Sequence, residues 1–170
     1  MEKINSLTGM TDLIETKADE NVLANKVFQT EKILKEIFTN YAMSEIRTPA
    51  LENTNLFKRS VGDTSDIVNK ELYTFSDKND KSITLRPEGT ASVMRSIIEK
   101  KLDGETHKLW YLGPMWRYER PQKGRYRQFN QINFENFGTD DFFADIEMIN
   151  LADQLLKKIL PNEQITLHIN

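Results

Sequence analysis

Apolar side chains recur at helical spacing between residues 19 and 41, at Leu23, Val27, Thr30, Leu34, Ile37 and Tyr41. The interval predicts an amphipathic helix with Asp19 as its N-cap. Glu31, Lys32, Lys35 and Glu36 fall mostly off the stripe. Ahead of it, Ile4 to Leu13 holds a Thr8-Gly-Met-Thr-Asp12 turn and reads as an irregular lead-in. Behind it, Glu45 to Leu51 reads as a short strand. Pro49 has no ladder donor, so that strand belongs at an edge or an interface. Residues 52–70 are polar and predict a loop with a helical turn. Leu72–Phe75 and Ser82–Leu85 flank Asp77-Lys-Asn-Asp80, a hairpin signal. Pro87 then breaks the ladder, and a helix follows with Ala91, Met94, Ile97 and Ile98 expected inward. A last helix spans Asp140 to Leu160 with Ile146, Ile149, Leu156 and Leu160 expected buried, and Pro161 stops it. Gln164 to Asn170 begins another strand. The order is that of an α+β fold, an antiparallel sheet flanked by helices.

The most informative pattern lies between Lys108 and Gly138. Two aromatic, strand-like flanks enclose a polar turn, so the stretch reads as two antiparallel strands joined by a long loop. Side chains alternate across a strand. Phe129, Gln131, Asn133 and Glu135 therefore share one face, and Ile132 and Phe134 the other. Arg117 and Glu119 share a face by the same period. A sheet with one wet face would alternate in this way without any function. The loop argues for more, because Arg120, Lys123, Arg125 and Arg127 crowd together with no acid after Glu119. Guanidinium forks suit phosphate. Residues alone thus give a candidate anion site beside a polar sheet face, suited to a small zwitterion or a nucleotide. Glu88 admits two readings: a carboxylate stabilised by the dipole of the helix it precedes, or, with Thr90 beside Gly89, a receiver for an ammonium group.

Composition narrows the classes. The 170 residues carry a net charge of −3 and 38% hydrophobic residues, which suits one folded domain and argues against disorder. Net acidity makes any polyanion contact local. With no cysteine and only His107 and His168 as imidazoles, a protein-held zinc or other metal site is not expected. No apolar run approaches a membrane span and the amino terminus does not read as a signal peptide, so a cytoplasmic protein without membrane contact is the expectation.

Three motifs then carry a resemblance. The long helix with Glu45-Ile-Arg-Thr-Pro49 resembles the first motif of class II aminoacyl-tRNA synthetases. Thr84-Leu-Arg-Pro-Glu-Gly-Thr90 continues it, and Tyr111-Leu-Gly-Pro-Met-Trp-Arg-Tyr-Glu-Arg-Pro-Gln-Lys-Gly-Arg-Tyr-Arg-Gln-Phe129 resembles the second motif, as found in the histidine–tRNA ligase family. The resemblance covers nearly the whole chain. It implies the class II catalytic core and roles for residues. Arg117 would contact the ATP α-phosphate and the amino-acid carboxylate, as the catalytic group. Glu119 would touch the adenine, Phe129 would stack on it, and Arg125 would meet the γ-phosphate. Glu88, Gly89, Thr90, Arg117, Gln131 and Glu135 would bind histidine, with Glu135 accepting from an imidazole nitrogen. Arg120, Gln122 and Lys123 would reach the acceptor end of tRNA(His).

The resemblance also implies ATP with Mg2+ as substrate, no tightly held cofactor, and a homodimer through the 19–41 helix and the Pro49 strand. Tyr118 and Asn130 stand where the family often has histidine, and Asn133-Phe134 replaces a small Gly-Cys-like pair beside the amino-acid pocket. Residues 1–170 would be the amino-terminal part of the catalytic domain, without the third motif, the histidine-specific segment or the anticodon-binding domain. Such a piece is expected to be poor or inactive alone. The competing expectation is a non-catalytic histidine-binding paralogue, similar to the regulatory subunit of ATP phosphoribosyltransferase. Such a sensor needs neither an adenine stack nor tRNA-facing charges.

Overall fold

The computed structural model describes residues 3–16, 23–62, 65, 67–120 and 122–168. The chain divides into two compact units, the first of Met1–Asp12, Glu45–Glu105 and Trp110–Phe134, the second of Leu13–Ser44, Thr106–Leu109 and Glu135–Asn170.

The first unit is built on an antiparallel sheet of β2 (Leu51–Asn53), β4 (Ser82–Leu85) and β3 (Tyr73–Ser76), with β4 in the middle. The register places Glu52, Thr84 and Thr74 in one row. Thr84 is fully buried, and its hydroxyl lies 3.0 Å from that of Thr74 and 2.8 Å from that of Thr54. Buried hydroxyls are tolerated there because they satisfy one another. The expected β3–β4 hairpin forms. Its turn is closed by Asp77, whose carboxylate accepts from the amides of Asn79 and Lys81 at 2.8 and 2.9 Å. Those bonds favour the charged form and hold the Asp77 carboxyl below its ordinary value.

Three expectations need correction here. The strand expected over Glu45–Leu51 is two pieces, β1 (Ser44–Glu45) and β2, in different sheets. Pro49 sits exposed between them, where its missing N–H costs nothing. The segment expected as a loop with a helical turn contains a longer helix, α2 (Thr54–Val61), followed by a π-helical turn at Ile67–Glu71. Asn53 caps α2 by accepting from the Asn55 amide at 2.9 Å, and one apolar anchor, Phe57, is completely buried. The next helix, α3 (Thr90–Glu99), buries Ala91, Ser92, Val93, Ser96 and Ile97. Met94 and Ile98, expected inward, are exposed. The serines allow close packing, so the buried face lies one step round from the larger side chains. Arg95 ties α3 to β2, with Nε and Nη2 donating to Oε1 of buried Glu52 at 3.2 and 2.8 Å.

The second unit holds α1 (Leu23–Asn40) and α4 (Phe142–Ile159). The proposed Asp19 cap lies outside the described residues. The buried positions of α1 are Ala24, Asn25, Leu34 and Phe38, whereas Leu23 is exposed. Asp141 caps α4 by accepting from the Phe143 amide at 3.0 Å. The buried residues of α4 are Leu151 and Leu155, and the stripe expected inward (Ile146, Ile149, Leu156, Leu160) is 37–52% exposed. This helix has more than one apolar face, so periodicity could not choose between them. Residues 164–168 form no strand, and no strand among the described residues pairs with them. Strands β5 (His107–Trp116) and β6 (Gln128–Phe137) form as expected, in a sheet of order β1-β5-β6.

Candidate active site

The turn from β4 into α3 positions the first group of candidates. Glu88 accepts from the amides of Thr90 and Ala91, at 2.7 and 3.0 Å, one through each carboxylate oxygen. The helix-cap reading of Glu88 is therefore realised, and its charge is fixed at the mouth of α3. Gly89 is buried so tightly that a β-carbon would lie 2.1 Å from the Tyr111 ring. Its part is to let the backbone pass, which brings Thr90 to the surface of the first turn.

Arg117 follows β5. Its Nε donates to the Pro87 carbonyl at 2.9 Å, and its guanidinium carbon lies 5.2 Å from the centroid of Phe129 on β6. The ring expected under adenine thus carries a cation over one face. Two residues on, Gln131 Oε1 is buried with no hydrogen-bond partner among the described residues. A buried acceptor without a donor costs about 1–3 kcal/mol. Next on the same face, Asn133 Nδ2 donates to Thr90 Oγ1 at 3.3 Å. Arg117 with Phe129 and Pro87, and Asn133 with Thr90, are thereby linked within the first unit, with Gln131 between Phe129 and Asn133 on β6. Glu135 belongs to the second unit, half-buried near the end of β6.

The basic loop divides into two kinds of cation. Arg120, Gln122, Lys123 and Arg125 are exposed. Gln122 and Arg125 pair across the tip, and Gly124 takes φ +80°. Arg125 Nη1 lies 3.4 Å from Glu119 Oε2, so the residues expected at opposite ends of ATP meet each other directly. Arg127, counted above with the phosphate-suited guanidiniums, is employed otherwise. Its Nε donates to the Glu119 carbonyl at 3.1 Å and its guanidinium lies 4.1 Å from the Tyr118 ring centroid. The Arg127 amide donates to the Gly9 carbonyl at 2.8 Å, which binds the lead-in to the base of the loop.

Sequence reading missed Arg86. It is buried, with Nε donating to the Pro114 carbonyl at 3.1 Å and Nη1 to the Thr48 carbonyl and hydroxyl at 2.8 and 3.0 Å. Its own carbonyl accepts from the Trp116 amide at 3.0 Å. Burial pulls the Arg86 guanidinium below its ordinary value. One side chain thus joins three segments behind Arg117 and Glu88. Its position directly before Pro87, at a strand end, was the only available signal. A groove of about 1450 Å³ along α2 and α3 meets the site at Glu88 and Thr90 but is not lined by Arg117, Phe129 or Gln131. Of the candidates, only Glu88 and Thr90 line that groove.

A family model described as histidyl-tRNA synthetase matches residues 20–170, which includes every one of these groups. The chain belongs to the histidyl-tRNA synthetase family. It is 51% identical over 147 residues to a chloroplastic histidine–tRNA ligase of Gracilaria tenuistipitata var. liui, covering 84% of this chain and 35% of that protein. It is 55% identical over 135 residues to the histidine–tRNA ligase of Lacticaseibacillus casei, covering 77% and 32%. The fold matches an apo S. aureus histidyl-tRNA synthetase with TM-score 0.73 at 38% identity, over 92% of this chain and 35% of that one. It also matches an ATP phosphoribosyltransferase regulatory subunit/histidyl-tRNA synthetase from Bacillus halodurans C, with TM-score 0.74 over 94% and 40%. At 23% identity that likeness concerns the fold alone. The chain spans about a third of the length of these curated relatives.

Proposed function

We propose that residues 1–170 form the amino-terminal part of the catalytic domain of a histidine–tRNA ligase, which activates L-histidine with ATP and transfers it to tRNA(His). The observation that carries this reading is the tethering of Arg117 to the Pro87 carbonyl, beside the Glu88 cap and above Phe129. In the first step the histidine carboxylate attacks the α-phosphorus and pyrophosphate leaves. Negative charge grows on the phosphoryl oxygens, and a guanidinium already fixed in place offsets it without reorganising. ATP enters as its Mg2+ complex, with adenine against Phe129 and Glu119. Arg125 leaves its contact with Glu119 for the γ-phosphate. Glu88, Thr90 and Gln131 take the α-ammonium, the backbone at Gly89 lines the turn beside it, and Glu135 takes an imidazole N–H. The exposed cations Arg120 and Lys123, with Gln122, meet the acceptor end of the tRNA, where phosphate contacts position the strand.

By family resemblance the protein is a cytoplasmic homodimer built through the 19–41 helix and the Pro49 segment. A second ATP-binding arginine, a histidine-specific segment and an anticodon-binding domain would come from outside this chain, so 1–170 alone should be nearly inactive. Histidine-dependent ATP–pyrophosphate exchange by the full-length protein tests the reading. Exchange that saturates with histidine supports it. Histidine binding without exchange would favour the regulatory-subunit alternative, against which the Arg117, Glu119, Arg125 and Phe129 set stands. Glu135→Gln should raise the histidine KM and leave the ATP KM unchanged, and equal changes in both would remove Glu135 from the imidazole.

A further inference from the structure

We infer that Asn133 is a positioning residue of the amino-acid end, acting through Thr90 on recognition of the substrate's α-ammonium. The inference rests on the function proposed above. An ammonium has three donors and no acceptor, so a site that selects it must converge acceptors. Glu88 supplies charge, but each of its oxygens already accepts an amide at the mouth of α3, which fixes its direction. Gln131 Oε1 is a second acceptor, buried with no hydrogen-bond partner among the described residues. Thr90 Oγ1 is the third, on a hydroxyl whose proton can turn to donate or turn away to leave a lone pair exposed.

Asn133 acts on that choice. It lies two residues beyond Gln131 on β6, hence on the same face, and its Nδ2 donates to Thr90 Oγ1 at 3.3 Å. Donation from the amide makes Thr90 Oγ1 an acceptor on that side and holds its rotamer against the sheet. An apolar or absent side chain at 133 cannot make that donation, so Thr90 Oγ1 loses its contact with β6.

The test is steady-state ATP–pyrophosphate exchange by the full-length protein as wild type, Asn133→Ala, Thr90→Ala and the double variant. Loss of one neutral hydrogen bond should raise the histidine KM about three- to tenfold, with the ATP KM unchanged. The double variant should be no worse than Thr90→Ala, because a residue acting through Thr90 has nothing to act on once the hydroxyl is gone. Inhibition by histidinol, which keeps the ammonium, should weaken in Asn133→Ala. Inhibition by imidazolepropionate, which lacks it, should not. An unchanged histidine KM, or effects of the two substitutions that multiply, overturns the assignment while leaving the proposed function standing. A wild-type protein that shows no histidine-dependent exchange removes the proposed function itself, and this role with it.

Discussion

The Arg86–Ala91 turn and the Glu119–Arg127 loop both present charge to the candidate site, yet they are held by opposite means. At the turn, Arg86 and Gly89 are buried, and Glu88 is bonded through both oxygens to backbone amides. Around the loop tip the side chains are exposed, and Arg125 makes one 3.4 Å contact with Glu119. The turn is over-determined, so its charge is available at a fixed place. Among the described residues the loop is tied at its base by Arg127 on Tyr118 and by the lead-in at Gly9. Under the proposed function the difference suits two kinds of ligand. A small amino acid needs a rigid constellation, because the reacting atoms must be aligned. A tRNA end is large and polyanionic, and exposed cations suit its phosphates.

The comparison breaks most visibly at two glycines. Gly89→Ala places a methyl about 2.1 Å from the Tyr111 ring, so strand or helix must shift. Overpacking of this kind should cost about 3 kcal/mol, read as a lowered urea midpoint of this chain. Arg86→Ala should cost a similar amount, about 3 kcal/mol, because the carbonyls of Thr48 and Pro114 and the Thr48 hydroxyl lose their donor together. If either variant unfolds at the wild-type midpoint, the turn is not the fixed element described. Arg117→Ala should lower exchange in the full-length protein at least a hundredfold, about 2.7 kcal/mol or more, by the scale of a lost charge-stabilising donor. Its stability should change far less, since Arg117 is partly exposed. Exchange within a few-fold of wild type would end its catalytic assignment.

How far the sequence could be read depends on whether local pattern or tertiary packing decided each element. The β3–β4 hairpin and the β5–β6 pair were legible because alternation and turn residues specify them locally. Helix α2 was not, because its polar string Thr54–Val61 is stabilised by one cap and one buried ring, Asn53 and Phe57. Both α3 and α4 were recognised as helices; in α3 Ala91 and Ile97 are buried as expected while Met94 and Ile98 are not, and in α4 the whole expected stripe is exposed. α4 has more than one apolar face, and in α3 the buried face is turned from the apolar stripe toward the small Ser92 and Ser96. Among site residues, the types were legible and the commitments were not. Arg127 looked like a phosphate ligand until its contact with Tyr118 appeared, and Arg86 looked like an ordinary strand end. Arg86 depends on contacts distant in sequence and Arg127 on contacts across the loop, neither of which strand or helix periodicity carries.

The loop supplies the smaller effects. Gly124 takes φ +80° with nothing within 4 Å of a β-carbon placed there, so Gly124→Ala meets conformational strain and no clash. The cost should be about 1 kcal/mol, a fraction of that at Gly89. Equal midpoint shifts at the two glycines would erase the distinction between turn and loop.

Lys123→Ala is the sharpest probe, because nearly everything about it should stay the same. The side chain is exposed beside Gly124, so stability should move by less than about 0.5 kcal/mol. Exchange requires only histidine and ATP, and its rate should match wild type. Aminoacylation should differ: a cation removed from a phosphate contact raises the tRNA KM and flattens its dependence on salt, since fewer counterions are released on binding. A separation of aminoacylation from exchange assigns the loop to the nucleic acid. If exchange falls in parallel with aminoacylation, the loop serves the small-molecule site as well, and the contrast with the Arg86–Ala91 turn is one of rigidity alone.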